Sequence, residues 1–380
     1  MKTYGMLLFI FVMTGLISCS TSSETRQTPP ETADATAPLP AAAPRLEEVF
    51  ADSVYQFTGV AVSPEGRLFT NYPYWLDTHA YSVVEIIEGK AVPYPDTAWN
   101  NFRTGEDGQH QFVCVQAVVA DDQGSLWIVD AAGIGLGAVY QQSNKVVKVD
   151  LASNQVERIY RFPDSVAGKD SYLNDIRVDH EHGFAYLTSS SNGGIVVLDL
   201  NTGASRFVLH DSPSVVSDPA YHIRFEGKAF TKADGSPVQI NSDGIALTPD
   251  RDWLYYKPLT DDKLYRIRTH LLRDFSLPQA TLVDSVQDLG HFTTTDGMAF
   301  DRQGNLYVGD LEQSSLVKIT PDLGMQTLVR DTTRLVWPDS YSISTDGYLY
   351  VSTTQIQRMP WFNGNVNRTR YPYQIFRIKL

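Results

Sequence analysis

Six times along the chain an apolar run meets a polar turn and resumes as an aromatic strand. The turn exits read Gly66-Arg67-Leu68-Phe69, Gly124-Ser125-Leu126-Trp127, Gly183-Phe184-Ala185-Tyr186, Asp252-Trp253-Leu254-Tyr255, Gly304-Asn305-Leu306-Tyr307 and Gly347-Tyr348-Leu349-Tyr350. They lie 58, 59, 69, 52 and 43 residues apart. A repeat of this length cannot bury its own faces and must stack against copies of itself, as in propellers, solenoids and arrays. Each unit continues into further strand-like pieces. After Trp127 come Lys145–Asp150 and Val156–Tyr160, and after Tyr186 come Gly194–Leu200 and Ala204–Leu209. That makes about four strands per unit, one blade. The sequence therefore predicts an all-β, six-bladed β-propeller with four-stranded blades over residues 46–380. The sealing strand can come from either end, Leu46–Phe50 or Gln374–Ile378. The long third interval predicts an inserted loop or hairpin, His222–Gln239, at a blade end where specificity often resides.

The N-terminus reads differently. Lys2 and the apolar run Met6–Met13 form a signal peptide, too short to span a bilayer as a helix of about 20 residues. Leu16-Ile17-Ser18-Cys19 follows, the pattern of a bacterial lipobox in which Cys19 is acylated. The expected division is a signal peptide at 1–18 and a lipidated Cys19 with a Ser/Thr/Pro/Ala-rich tether at 19–45. This places the protein in the bacterial cell envelope, anchored at the outer membrane through its lipid alone, with simple secretion as the alternative. With Cys19 acylated, Cys114 has no disulfide partner and the domain must rest on its core. The formal charge of −13 and the lack of a basic run argue against nucleic-acid binding. A monomer acting on a small-molecule ligand is expected.

Counting back from each turn aligns the six inner strands. Just before each stands a non-apolar residue: Thr58, Gln116, Asp175, Asp243, Asp296 and Asp339. Inner strands line a propeller's channel, so these side chains are expected to form a polar ring at one mouth. Converging aspartates need a cation, donors or raised pKa values. Asn174, Asp175, Asp243 and Asp296, with Gln116 nearby, would suit a hard divalent cation such as Ca²⁺. Alternatively each Asp caps a turn or bonds backbone N–H groups of the next blade. Trp337 and Tyr341 flank Asp339 and are expected to stack on a flat ligand. Asp121, Asp150, Asp179, Asp250 and Asp301 sit in turns and are read as structural. His222 and His291 are possible pocket acids or bases. No Gly-x-Ser-x-Gly or His-x-x-x-His pattern occurs.

The segments Tyr172–Asp179, Ala185–Thr188, Gly194–Leu200, Ser205–Phe207, Asp243–Leu247, Leu254–Leu259, Trp337–Ser340, Gly347–Tyr350 and Gln355–Arg358 resemble the major royal jelly/yellow protein family, in order, over roughly residues 50–380. The resemblance implies a six-bladed propeller. Insect members are tied to melanin chemistry, some as dopachrome-converting enzymes, and others bind biogenic amines. Bacterial relatives are described as related to dopachrome tautomerase. A more distant resemblance is to gluconolactonase-type propellers, which hold a divalent metal in the channel. Asp296-Gly297-Met298 is similar to their Asp-Gly-Met segment, so that resemblance implies a metal-binding, base-like role for Asp296. Their first-blade Glu is replaced here by Thr58.

Three readings follow. In a tautomerase-like isomerase, Asp296 or Asp243 moves a proton between carbon and oxygen of a catechol-derived ring. In a metal-dependent lactonase, a Ca²⁺-like ion polarises an ester. In a non-catalytic binder, charge and stacking capture small amines.

Overall fold

The computed structural model describes residues 45–77 and 79–380. The expected signal peptide, Cys19 and, apart from Arg45, the tether lie outside the described residues. Among the described residues no helix is long and apolar enough to cross a membrane.

Six four-stranded antiparallel sheets make up the fold, and each corresponds to one sequence unit. Blade one comprises Ala61–Val62, Leu68–Asn71, Val83–Ile87 and Lys90–Pro93. Blade two comprises Val115–Ala120, Ser125–Asp130, Lys145–Asp150 and Gln155–Arg161, and blade three Leu173–Asp179, Phe184–Ser189, Ile195–Asp199 and Ser205–Val208. Blade four holds Ser242–Leu247, Trp253–Pro258, Lys263–Arg268 and Gln287–His291, and blade five Met298–Phe300, Leu306–Asp310, Ser315–Ile319 and Met325–Arg330. Blade six joins Pro338–Ile343, Tyr348–Thr353 and Tyr373–Lys379 to the N-terminal strand Glu47–Asp52.

Both termini thus close the ring in one blade, with the N-terminal strand outermost. Its partner is the last strand, in a register running from Glu47 opposite Arg377 to Asp52 opposite Tyr373. Closure this way ties the two chain ends together and removes the penalty of an open ring.

The core lies between blades, where aromatic second strands meet β-branched neighbours. Trp127, Tyr160, Leu173 and Ile176 share one cluster between blades two and three. Tyr186, Ile245 and Tyr256 share another between blades three and four. Near the axis, the Asp-Gly pairs have a steric reason. A Cβ on Gly244 would stand 2.4 Å from the Asp296 carbonyl, and one on Gly297 would stand 2.6 Å from that of Asp339. Only glycine lets these inner strands approach so closely.

Candidate functional site

The inner strands are not regular where they matter. The ladder of blade two slips between Val115 and Ala117, that of blade three between Leu173 and Ile176, that of blade four between Ser242 and Ile245, and that of blade six between Pro338 and Tyr341. The residues inside these bulges are Gln116, Asn174-Asp175, Asp243-Gly244 and Asp339-Ser340. A bulge turns a side chain out of the ladder's two-fold alternation, and here it sorts the axial residues between two ends of the channel.

Gln116, Asn174, Asp243 and Asp296 line a cavity of about 430 Å³ at one end. Asp175 and Tyr341 line a smaller one, about 210 Å³, at the other. Thr58 and Asp339 line neither. The single ring expected at one mouth is therefore corrected: the axial positions form a stack with two faces. Thr58 donates its hydroxyl to the Gln116 carbonyl at 3.0 Å and accepts from Asn71 Nδ2 at 2.8 Å, which stitches blade one to blade two. Asp175 pairs with Arg177 at 2.8 Å, and Arg177 reaches across to the Met298 carbonyl at 2.6 Å. Tyr341 points its hydroxyl at the Pro338 carbonyl, 3.4 Å away, so it is not part of the larger cavity's wall.

At the floor of the larger cavity the buried Asp243 and Asp296 carboxyls lie close enough to shift each other's proton affinity. Two adjacent buried carboxylates repel, which favours keeping a proton on one of them. Burial raises both groups, Asp296 to about 6 and Asp243 well above the usual carboxylate range, with the Asp296 charge adding to the shift of Asp243. Asp296 stays the more acidic partner because the neighbouring Asp243 carboxyl and the Trp337 indole N–H, which donates to it at 2.7 Å, both favour its charged form. Asp339, deeper in the stack, is also raised by burial and by Asp296.

Lys257 stands behind this pair and was not among the candidates. It is buried, and its Nζ donates to the carbonyls of Pro258 (2.6 Å), Asp261 (2.8 Å) and Leu259 (3.4 Å). Burial lowers it to about 8, against the pull of Asp261, Asp243, Asp262 and Asp296. Its signal was a lone charge inside the aromatic strand Trp253–Pro258.

The walls are aromatic. Trp337 is fully buried with a left-handed backbone, φ 59°, a conformation that costs a bulky residue about 1–2 kcal/mol and that aims its indole at Asp296. The His222–Gln239 insert carries a small hairpin, Arg224–Phe225 with Lys228–Ala229. Its Phe225 stacks on Trp337 at 5.4 Å, and its Phe230 meets Trp337 edge-on at 5.5 Å. Glu312 of the loop in blade five pins the insert by accepting the Arg224 backbone N–H at 2.6 Å and the Tyr221 hydroxyl at 3.1 Å. Trp75, Tyr172, Trp361 and Phe362 complete the rim. His222 and His291 line neither cavity, and His291 pairs with Asp262 at 2.7 Å. Among the turn aspartates, Asp121 accepts from the backbone of Gln123 and Ser125 and from Trp127 Nε1.

The donor set does not suit a resident divalent cation. Asn174, Asp243 and Asp296 face one cavity and Asp175 the other. Among the described residues no group of three or more His, Cys, Asp or Glu is placed to hold a metal ion.

A closed six-bladed propeller with an acid pair under an aromatic-walled cavity is the class these features define. Residues 113–380 match the family model of the major royal jelly proteins, and the chain belongs to that family. Major royal jelly protein 7 of Apis mellifera is 25% identical over 253 residues, 64% of this chain and 53% of its own length. Major royal jelly protein 1 of the same species is 23% identical over 236 residues, 59% and 51% of the two chains. The chain spans about half the length of these curated relatives. Among solved structures, a gluconolactonase from Xanthomonas campestris matches with a TM-score of 0.54 at 13% identity over 89% of each chain. A streptogramin B lyase matches with a TM-score of 0.51 at 14% identity, over 89% of this chain and 98% of that one. At such identities the likeness concerns the fold alone.

Proposed function

We propose that the protein takes a small flat molecule, aromatic or catechol-derived, into the larger cavity and relocates a proton on it, as a dopachrome-type tautomerase does. The observation that carries this reading is the buried Asp243–Asp296 pair lining the cavity, which burial and mutual proximity incline to hold one proton. It offers a base and an acid in one site at neutral pH, the requirement of a proton shift. Asp296, held more acidic by the Trp337 indole, is the base that takes a proton from ring carbon. Asp243, held protonated, is the acid that returns one to oxygen. The substrate gains and loses one proton, the pair exchanges its acid and base members, and no oxidant is consumed. Rows of tryptophan and phenylalanine supply stacking and exclude water.

A second reading, a non-catalytic binder of small amines, draws on the same pair, whose single net charge under aromatic walls favours a cation. The lactonase reading loses its support with the metal site. Leu16–Cys19 supports placement in the cell envelope through a lipid, and labelling with a radioactive fatty acid that is lost in Cys19→Ala would test it.

The activity test is conversion of an aminochrome followed by its visible absorbance, in wild type and Asp296→Asn. Turnover abolished in a folded variant supports the assignment, and unaltered turnover sinks it. Heat on titration with dopamine without any conversion favours the binder.

A further inference from the structure

One wall of the cavity is set by a relay the acid pair does not need. Trp75 Nε1 lies 2.8 Å from the Tyr172 hydroxyl, and that hydroxyl lies 3.0 Å from Gln116 Oε1. An indole N–H can only donate, so the tyrosine oxygen accepts from it. The tyrosine's own hydrogen must then go to Gln116, because the alternative, Cys114 Sγ, is 4.0 Å away and a poor acceptor. With Oε1 occupied, the orientation of the Gln116 amide is set, and its NH₂, which has no protein partner among the described residues, is left for the cavity that Gln116 lines. Beside it Asn174 is 5% exposed, lines the same cavity, and has no hydrogen-bond partner for its amide among the described residues, yet its amide atoms are not among the sealed, unsatisfied ones. An amide open to the cavity with no protein partner is free to bond a ligand or water there.

We propose that Gln116 and Asn174 are an oxygen-recognising wall, and that Tyr172 and Trp75 are positioning residues that keep the Gln116 NH₂ facing the ligand. This rests on the reading of the cavity given above and adds to it that the ligand carries an acceptor oxygen, carbonyl or phenolic, on the side that faces Gln116 and Asn174. In a tautomerisation the same amides would stabilise charge developing on that oxygen.

The test is calorimetric titration of the full chain with two probes, dopamine and phenethylamine, which share the amine and ring but not the oxygens. The expected result is dopamine bound about tenfold more tightly, with the advantage shrinking to about twofold or less in Gln116→Met and in Tyr172→Phe. Phenethylamine affinity should not change in either variant, which a general loss of structure could not produce. Asn174→Ala provides the same comparison if Gln116→Met does not fold. Equal affinity of the two probes in wild type overturns this inference alone, as does a dopamine preference that survives all three variants. Absence of heat from both probes overturns the cavity reading and this inference together.

Discussion

Asp296→Asn should make the protein more stable at neutral pH while removing its activity. The amide is nearly isosteric; its Oδ1 can still accept the Trp337 indole N–H, and its NH₂ can donate to Asp243. What disappears is a buried charge. The Asp296 carboxyl rises from 3.8 to about 6 on folding, chiefly through burial. A raised acid contributes stability that is full below its unfolded value and is lost as pH climbs through the folded one. Between about pH 4 and pH 6 the wild-type protein therefore gives up roughly 3 kcal/mol at this position, taking 1.36 kcal/mol for each pKa unit. For a fold of this length the unfolding entropy is about 0.7 kcal/mol per degree, so the difference in melting temperature should be roughly 4 °C. Differential scanning fluorimetry of both proteins at pH 4 and pH 7.5 reads it directly. The variant should match wild type at pH 4 and melt higher at pH 7.5. A difference that does not vary with pH, or a variant less stable at pH 7.5, would refute the assignment of a raised, buried acid at this position.

Two further predictions concern the scaffold. Lys145 and Asp130 form a 2.7 Å ion pair with both side chains fully buried, and the Asp130 carboxylate also accepts the backbone N–H groups of Val113, Cys114 and Ala132. Lys145→Met should cost about 3–5 kcal/mol in urea unfolding, because it strands that charge; a loss under about 1 kcal/mol would contradict the reading. Deleting residues up to Asp52 removes the outer strand of blade six and with it the buried Leu46 and Phe50. The truncated chain should melt lower and aggregate through the exposed edge of Tyr373–Lys379, and a peptide of residues 45–53 should restore its melting temperature; an unchanged melting temperature would show that closure does not depend on that strand.

Much of the fold was legible because the repeat is a consequence of packing. An aromatic such as Trp127 or Tyr186 recurs after each turn since every blade must fill the same wedge against its neighbour. The axial positions were legible for the same reason, and Gln116, Asn174, Asp243 and Asp296 do meet at one cavity. Their sorting between two ends was hidden, because it depends on bulges of one or two residues that no period reveals. Asp175 and Tyr341 fell on the other side for that reason, and Arg177, a charge within an inner strand, was the overlooked sign that Asp175 had a partner. Tyr172 and Lys257 were also hidden. Tyr172 looks like an ordinary member of its segment and Lys257 stands out only as a lone charge in an aromatic strand, and only the three-dimensional neighbourhood shows that one orients Gln116 and the other offsets the acid pair. The order of the two terminal strands in blade six depends on which end reaches the ring first in space, and either strand has the composition to close it.

The proton proposed on the Asp243–Asp296 pair is open to direct observation by infrared difference spectroscopy of the purified protein at pH 7. Carboxylic-acid carbonyl absorption should be present in wild type and shift on exchange into D₂O; the Asp243→Asn difference spectrum should show one such band lost, the contribution of the raised Asp339 remaining, and dopamine binding should perturb the band that is lost. A spectrum with no protonated carboxyl at pH 7, or one in which Asp243→Asn removes no carboxylic-acid band, would contradict the account.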